Sequence, residues 1–150
     1  MAHIQRSRVI AARPRQVWDV LADFGAIGSW ADNVDHSCIL ASGADGCPLG
    51  TTRRVQVKRD TLVERIIEFD PPHVLAYDIE GLPRLLGRVS NRWALAPNAP
   101  EATAVTLTST VEIGSRPHQK LAERLVCRVM ARQSDSMLAG LANRLENARV

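Results

Sequence analysis

The sequence has no long apolar segment, and no apolar run approaches the roughly 18 residues that a transmembrane helix needs. Its basic start, MAHIQRSRVIAARPRQ, is not followed by the apolar stretch of a secretory signal peptide. Cysteine is also scarce: the three cysteines are an odd number without C-x-x-C spacing, so neither a disulfide framework nor a zinc ribbon is predicted. We therefore expect no integral membrane segment and a reducing, cytoplasmic location.

Lysine and aromatic residues are rare as well. Only two lysines accompany 17 arginines, and aromatic residues make up 4% of the chain. The formal net charge is +3, but so few aromatic residues and no RNA-binding motif argue against nucleic acid as a partner. With 45% apolar and 23% charged residues among 150, the composition is typical of one folded domain over residues 1–150.

The motifs of common catalytic and cofactor sites are missing. The four histidines lie far apart, with no H-E-x-x-H or Cys/His ligand spacing, so no metal site is predicted. The sequence has no G-x-S-x-G nucleophile elbow and no glycine-rich phosphate loop. We therefore expect neither a metal nor a cofactor.

Hydrophobic periodicity predicts an α+β fold in which one antiparallel sheet lies between helical ends. Pro14 opens a first helix, and the glycine-broken segment DFGAIGSWADN predicts a second, shorter helical turn. Pro117 opens a long C-terminal helix that continues to about Asn147 without another proline. Period-two alternation between turn signals predicts about seven strands, near 4–10, 34–41, 49–58, 61–70, 73–80, 87–96 and 102–113.

The predicted C-terminal helix has an apolar stripe, expected to cover the sheet, and a basic ridge nearly opposite. Gln133 falls in the middle of the apolar stripe, where its amide either is satisfied in the core or faces a ligand. The basic ridge is interpreted as a solvated face. The stripe comprises Ala122, Val126, Val129, Met130, Gln133, Met137, Gly140 and Leu141, and the ridge comprises Lys120, Arg124, Arg128 and Arg132.

Polar side chains on otherwise apolar strand faces predict a partly polar interior. Arg53 shares a face with Val55 and Val57, so it points inward and needs an acceptor. In the next strand both faces are mixed, and alternation leaves open whether Glu64 or Arg65 faces inward. A cavity with such groups is typical of a small-molecule site, but a core whose polar groups satisfy one another gives the same pattern. The other members of this predicted interior are Trp30, Tyr77, Asn91, Trp93 and Gln133.

Several sequence segments resemble one protein superfamily. An A-x-P-x-x-V-W motif, formed by Ala12, Pro14, Val17 and Trp18, is followed by GTTRRV, LVERIIEFDPP, LAYDIEGLP, NRWAL and DSMLAGL. With these segments, which extend over essentially the whole chain, the sequence resembles the polyketide cyclase/dehydrase group of the START-like (SRPBCC) superfamily. The resemblance implies a helix-grip fold, in which a curved antiparallel sheet of about seven strands, two short helices and a long C-terminal helix enclose a hydrophobic cavity.

The resemblance also implies two alternative functions for that cavity. Members of the superfamily bind lipids, sterols, polyketides or other apolar molecules, and some of them cyclise polyketide chains. We expect a carrier or sequestering protein for a hydrophobic small molecule, as a monomer or homodimer, and the alternative is a polyketide cyclase/dehydrase that uses the same cavity. The expected ligand-binding residues are Trp30, Arg53, Tyr77, Asn91, Trp93, Met130, Gln133 and Met137.

The enzyme alternative requires a base for an acidic carbon, donors for the enolate oxygen and an acid for the leaving hydroxyl. Arg53 is the candidate that holds the enolate, Tyr77 is the donor, and Glu64 is the base or acid. Each residue also has a purely structural interpretation. Arg53 and Glu64 pair across neighbouring strands, and Tyr77 completes the core.

Overall fold

A computed structural model of the chain describes residues 1–82 and 86–147. The strands are β1 (Ala2–Ile10), β2 (His36–Ala41), β3 (Thr52–Val57), β4 (Asp60–Asp70), β5 (Val74–Glu80), β6 (Arg88–Ala99) and β7 (Ala102–Glu112). They form one antiparallel sheet with the order β1-β7-β6-β5-β4-β3-β2. Strands that follow one another in the chain from β2 to β7 are therefore neighbours in the sheet, and β1 pairs with β7.

The helices lie at the predicted places. Helix α1 (Pro14–Ala22) and the 3₁₀ helix Phe24–Ser29 follow β1, and the long helix α2 (Pro117–Asn147) ends the described chain. A further 3₁₀ turn, Ala44–Gly46, lies in the predicted turn between β2 and β3. The α+β helix-grip fold is therefore confirmed. Between the predicted strands near 73–80 and 87–96, residues 83–85 lie outside the described residues.

Within the described ranges, no helix is both long enough and apolar enough to cross a bilayer.

A β-bulge explains why β4 alternates so poorly. Its pairing with β5 shifts between Ile66 and Glu68, so Ile67 is an extra residue and is 42% exposed. Before the bulge Glu64 faces inward, and after it Phe69 does, because the shift reverses the parity of the inward positions. The question that alternation left open is thus decided in favour of Glu64. Arg65 is exposed and forms an ion pair with Glu80 at 3.3 Å.

Helix α2 packs on β1 and β7 with a face different from the predicted one. The prediction that the apolar stripe covers the sheet is wrong for most of the stripe, since Val129 is 61% exposed and Gln133 is exposed. The physical reason is that the helix covers only the β1–β7 end of the sheet, so its next face borders open space. The residues buried against the fold are Glu123, Cys127, Ala131, Ser134, Met137, Leu138, Gly140, Leu141 and Ala142.

The most unusual buried residue of α2 is Glu123, which is 1% exposed. Its Oε2 accepts a hydrogen bond from the backbone N–H of Ile113 at 2.8 Å, and its Oε1 lies 3.0 Å from the Met1 amine. The N–H of Ile113, followed by the amine, holds the pKa of the Glu123 carboxyl below its ordinary value. The buried carboxylate therefore joins α2 to the end of β7. The predicted basic ridge on the opposite side of the helix is exposed.

Helix α2 comes very close to the segment after the 3₁₀ helix at Gly140. A Cβ added at Gly140 would lie 2.2 Å from the carbonyl oxygen of Trp30 and 3.4 Å from Cα of Ala31. Backbone atoms on that side leave no flexible group that can move away. Only glycine permits this approach, and the helix and the segment after the 3₁₀ helix are locked together there.

Because of this contact, Gly140→Ala should destabilise the protein although alanine is the better helix former. We expect the free energy of unfolding to fall by about 1–3 kcal/mol, the usual cost of overpacking, despite a gain in helix propensity of about 1 kcal/mol. Urea denaturation measures this change in the free energy of unfolding. Arg132→Ala, on the exposed face of the same helix, is the control and should change little; equal stability of Gly140→Ala and wild type would contradict the close approach.

Candidate functional site

A cavity of about 500 Å³ lies between the inner face of the sheet and helix α2. It opens to solvent beside three exposed lining residues, Arg59 in the turn after β3 and Asp60 and Thr61 at the start of β4. Its wall is mainly aliphatic, with the polar side chains Asn33, Glu64, Asn91 and Gln133 in it. The apolar lining residues are Ile27, Val34, Val57, Leu62, Ile79, Leu82, Leu86, Val89, Val126, Val129, Met130 and Met137.

A buried ion pair stands in the cavity wall. Arg53 of β3 and Glu64 of β4 are direct cross-strand partners in the sheet register. The Arg53 Nε donates to Glu64 Oε1 at 2.8 Å, and Nη2 lies 2.7 Å from the same oxygen. The side chains are only 2% and 7% exposed. The cross-strand pairing considered from the sequence is therefore what the structure contains.

The Arg53 guanidinium is buried beside two aromatic rings and a backbone carbonyl. Its Nη1 donates to the backbone carbonyl of Phe24 at 2.9 Å. Its Cζ lies 3.8 Å from the ring centroid of Phe24 and 4.6 Å from that of Tyr77, so the cation sits between two aromatic faces. Arg53 does not line the cavity. Glu64 is the member of the pair that faces the cavity.

A chain of polar side chains continues from Tyr77 across the sheet to α2. The Tyr77 hydroxyl accepts hydrogen bonds from Trp93 Nε1 at 3.3 Å and from Asn91 Nδ2 at 3.5 Å. Asn91 Oδ1 in turn accepts from Ser109 Oγ at 2.6 Å, and Ser109 Oγ lies 3.5 Å from Ser134 Oγ. Except at Asn91, this chain lies behind the cavity lining. It satisfies polar groups that would otherwise be buried without partners.

Tyr77 is held in its neutral form. Burial raises the pKa of the Tyr77 phenol, and the negative charge of Glu64 raises it further, against a smaller opposing effect of the Arg53 cation. A phenol with a raised pKa releases its proton less readily than a free tyrosine. With its oxygen already accepting two hydrogen bonds, Tyr77 has the environment of a structural residue.

The structure divides the residues predicted for the site into two sets. Those that line the cavity are Glu64, Asn91, Met130, Gln133 and Met137. Those that lie behind its surface are Trp30, Arg53, Tyr77 and Trp93. The second set is buried as expected, but it packs within the core; the rings of Trp30 and Trp93, for example, meet edge to face at 5.9 Å.

Sequence reasoning missed Asn33, which lines the cavity beside α2. Its Nδ2 donates to Gln133 Oε1 at 2.7 Å. The need of Gln133 for a partner was visible in the sequence, but the partner was not, because Asn33 lies in an irregular segment without periodicity. Gln133 itself is exposed, so it occupies neither the core nor the centre of the wall.

Comparison with known proteins gives a match of the family model described as "Polyketide cyclase / dehydrase and lipid transport" to residues 1–146. No curated protein sequence matches the chain significantly.

Solved structures share the fold. The Zhui aromatase/cyclase from Streptomyces sp. R1128 is similar with a TM-score of 0.81 at 21% identity, over 99% of this chain and 96% of that one. A START superfamily protein from Mycobacterium smegmatis has a TM-score of 0.78 at 16% identity, over 97% and 98% of the two chains. A protein from Thermobifida fusca has a TM-score of 0.77 at 25% identity, over 98% and 95%.

Removal of one partner of the buried ion pair should be far more costly than removal of both. Arg53→Met leaves the Glu64 carboxylate unpaired in the wall, so we expect the free energy of unfolding to fall by about 3–5 kcal/mol. The double variant Arg53→Met with Glu64→Leu removes both charges and should recover most of that loss. Urea denaturation of the three proteins is the measurement. A double variant as unstable as the single one would show that the pair itself is a large net source of stability.

Proposed function

The chain belongs to the polyketide cyclase/dehydrase and lipid transport family, and we propose that it binds a hydrophobic small molecule in its cavity as a carrier or sequestering protein. The observation that carries the proposal is the cavity of about 500 Å³, whose wall is largely aliphatic. Its volume lies within the range of small-molecule sites, roughly 300–1,000 Å³. The whole of residues 1–150 would act as one domain around it.

The lining explains why an apolar molecule is preferred to water. Water in the cavity meets mostly methyl and methylene groups, among them those of Ile79, Val89 and Met130, and finds few hydrogen-bond partners. An apolar molecule releases that water and removes both its own surface and the wall from solvent. The exposed residues at the mouth leave a route by which such a molecule enters.

The arrangement of the predicted catalytic residues favours binding over catalysis. Arg53 and Tyr77 do not line the cavity, so neither is placed to contact a molecule held in it. Of the three candidates only Glu64 lines the cavity, and its Oε1 is engaged by Arg53. The cyclase alternative would therefore need Glu64 to act without the two partners that the sequence assigned to it.

The proposal includes a cytoplasmic location. All three cysteines are free, and Cys38 and Cys47 are exposed, which is the condition expected in a reducing compartment. The oligomeric state stays a prediction, monomer or homodimer, and the mass of the native particle decides between the two.

Native mass spectrometry of the purified protein, with denaturing extraction of any released molecule, tests the proposed function. We expect a stoichiometric apolar passenger, or uptake of an added fatty acid, sterol or aromatic polyketide. Met130→Trp narrows the cavity from the helix side and should reduce the bound fraction, because the larger side chain takes up apolar volume that the ligand needs. Leu121→Trp is the matched control, since Leu121 is 58% exposed on the same helix and lies outside the cavity.

Two results would contradict this function. An empty protein that takes up none of the added molecules would exclude a carrier. Equal occupancy of wild type and a folded Met130→Trp variant would place the ligand outside this cavity.

A further inference from the structure

We propose that the cavity selects an apolar molecule with a neutral hydroxyl group, a phenol or an alcohol that donates to Glu64, and that it discriminates against carboxylate lipids. The inference rests on the proposed function, because it names the chemical class of the molecule that the same cavity holds. It follows from which end of the buried ion pair faces the cavity.

The first step concerns the free oxygen of Glu64. Both contacts with Arg53, at 2.8 Å from Nε and 2.7 Å from Nη2, go to Oε1. Among residues 1–82 and 86–147, Oε2 has no hydrogen-bond partner. It is also absent from the buried polar atoms that have no partner, so it is not sealed from the open space that Glu64 lines. Oε2 is therefore an accessible, unused acceptor in an otherwise apolar wall.

The second step concerns the sign of the charge that a ligand meets. The Arg53 cation lies behind the wall, enclosed by the rings of Phe24 and Tyr77 and by the Phe24 carbonyl. The ion pair thus presents its negative end to the cavity. Among the described residues that line the cavity, the one basic side chain is that of Arg59, which is exposed and next to Asp60 at the mouth. Among the described lining residues, a carboxylate ligand would meet Glu64 with no inner cation to compensate it.

The third step separates a hydroxyl from the other groups that an apolar molecule can carry. A pure hydrocarbon or an ether removes water from Oε2 and returns no hydrogen bond, which leaves a charged acceptor unsatisfied. An ammonium group donates, but its own charge must be desolvated, and Arg53 already occupies the other oxygen. A neutral O–H forms a charge-assisted hydrogen bond at the lowest desolvation cost.

Calorimetric titration of the wild-type protein with three probes of one shape tests the selection. The probes are 2-naphthol, its methyl ether 2-methoxynaphthalene, and 2-naphthoate, at pH 7 and equal ionic strength. We expect 2-naphthol to bind at least about tenfold more tightly than the ether, the factor expected for a hydrogen bond to a charged group. The carboxylate should bind more weakly than the ether, because it adds repulsion to the missing donor.

A pair of variants assigns the effect to Glu64. Glu64→Gln keeps the size and an acceptor oxygen but removes the charge, so the preference for 2-naphthol should shrink and 2-naphthoate should gain affinity. Asp60→Asn removes the same charge at the mouth of the same cavity and should leave the order of the probes unchanged. Thermal unfolding checks that both variants are folded; if Glu64→Gln is not, the wild-type series decides alone.

The outcomes separate this inference from the function on which it rests. Equal affinities for 2-naphthol and its ether, or tighter binding of 2-naphthoate, would overturn the selection while leaving a hydrophobic carrier. The same effect of Asp60→Asn and Glu64→Gln would also overturn it, because a general negative field would then explain the order. Failure of all three probes, together with an empty purified protein, would overturn the proposed function and this inference with it.

Discussion

The ion pair between Arg53 and Glu64 is the constraint on which the inner wall of this protein depends. Two charges buried at 2% and 7% side-chain exposure are stable only if their geometry is good and their remaining donors are satisfied. Here the guanidinium is held by hydrogen bonds from Nε to Glu64 and from Nη1 to the Phe24 carbonyl and by two aromatic rings, while Nη2 has only the ion-pair contact with Glu64 Oε1 and no well-directed hydrogen bond in the described residues. The pair thereby connects β3 and β4 with β5 through Tyr77, and with the 3₁₀ helix through Phe24.

The open space itself follows from how α2 lies on the sheet. The helix packs on β1 and β7, and the cavity separates it from residues of β3, β4 and β5 such as Val57, Leu62 and Ile79. Gly140 fixes the C-terminal half of the helix against the segment after the 3₁₀ helix, where a side chain would collide with the Trp30 carbonyl. The earlier turns of the helix present Val126 and Met130 to the gap. Close packing at one end of the helix and a wall of separated side chains at the other make a cavity without a break in the sheet.

Much of this architecture could be predicted from the sequence. Strand alternation placed Arg53, Asn91 and Trp93 on inward faces, and all three are buried. It failed in β4, because the bulge at Ile67 changes the parity partway along the strand. Periodicity reports which side of an element is apolar, but it contains no information on the distance to the next element. For that reason it could not distinguish the face of α2 that touches the sheet from the face that borders the cavity.

The same limit explains why residue type alone overestimates the site. Trp30, Tyr77 and Trp93 are suitable for ligand contact by chemistry, yet they pack within the core, and the oxygen of Tyr77 already accepts from Trp93. What a buried polar group offers to a ligand is the hydrogen-bonding capacity that its neighbours leave unused. By that measure the wall retains few functional positions. One is Glu64 Oε2; Asn33 Oδ1 also lacks a partner in the described residues, but it is buried and is therefore not open to the cavity. One accessible charged acceptor in a largely aliphatic wall favours a ligand that is mostly apolar and carries a donor at one defined point, since an acceptor that the ligand covers but does not satisfy costs about 1–3 kcal/mol.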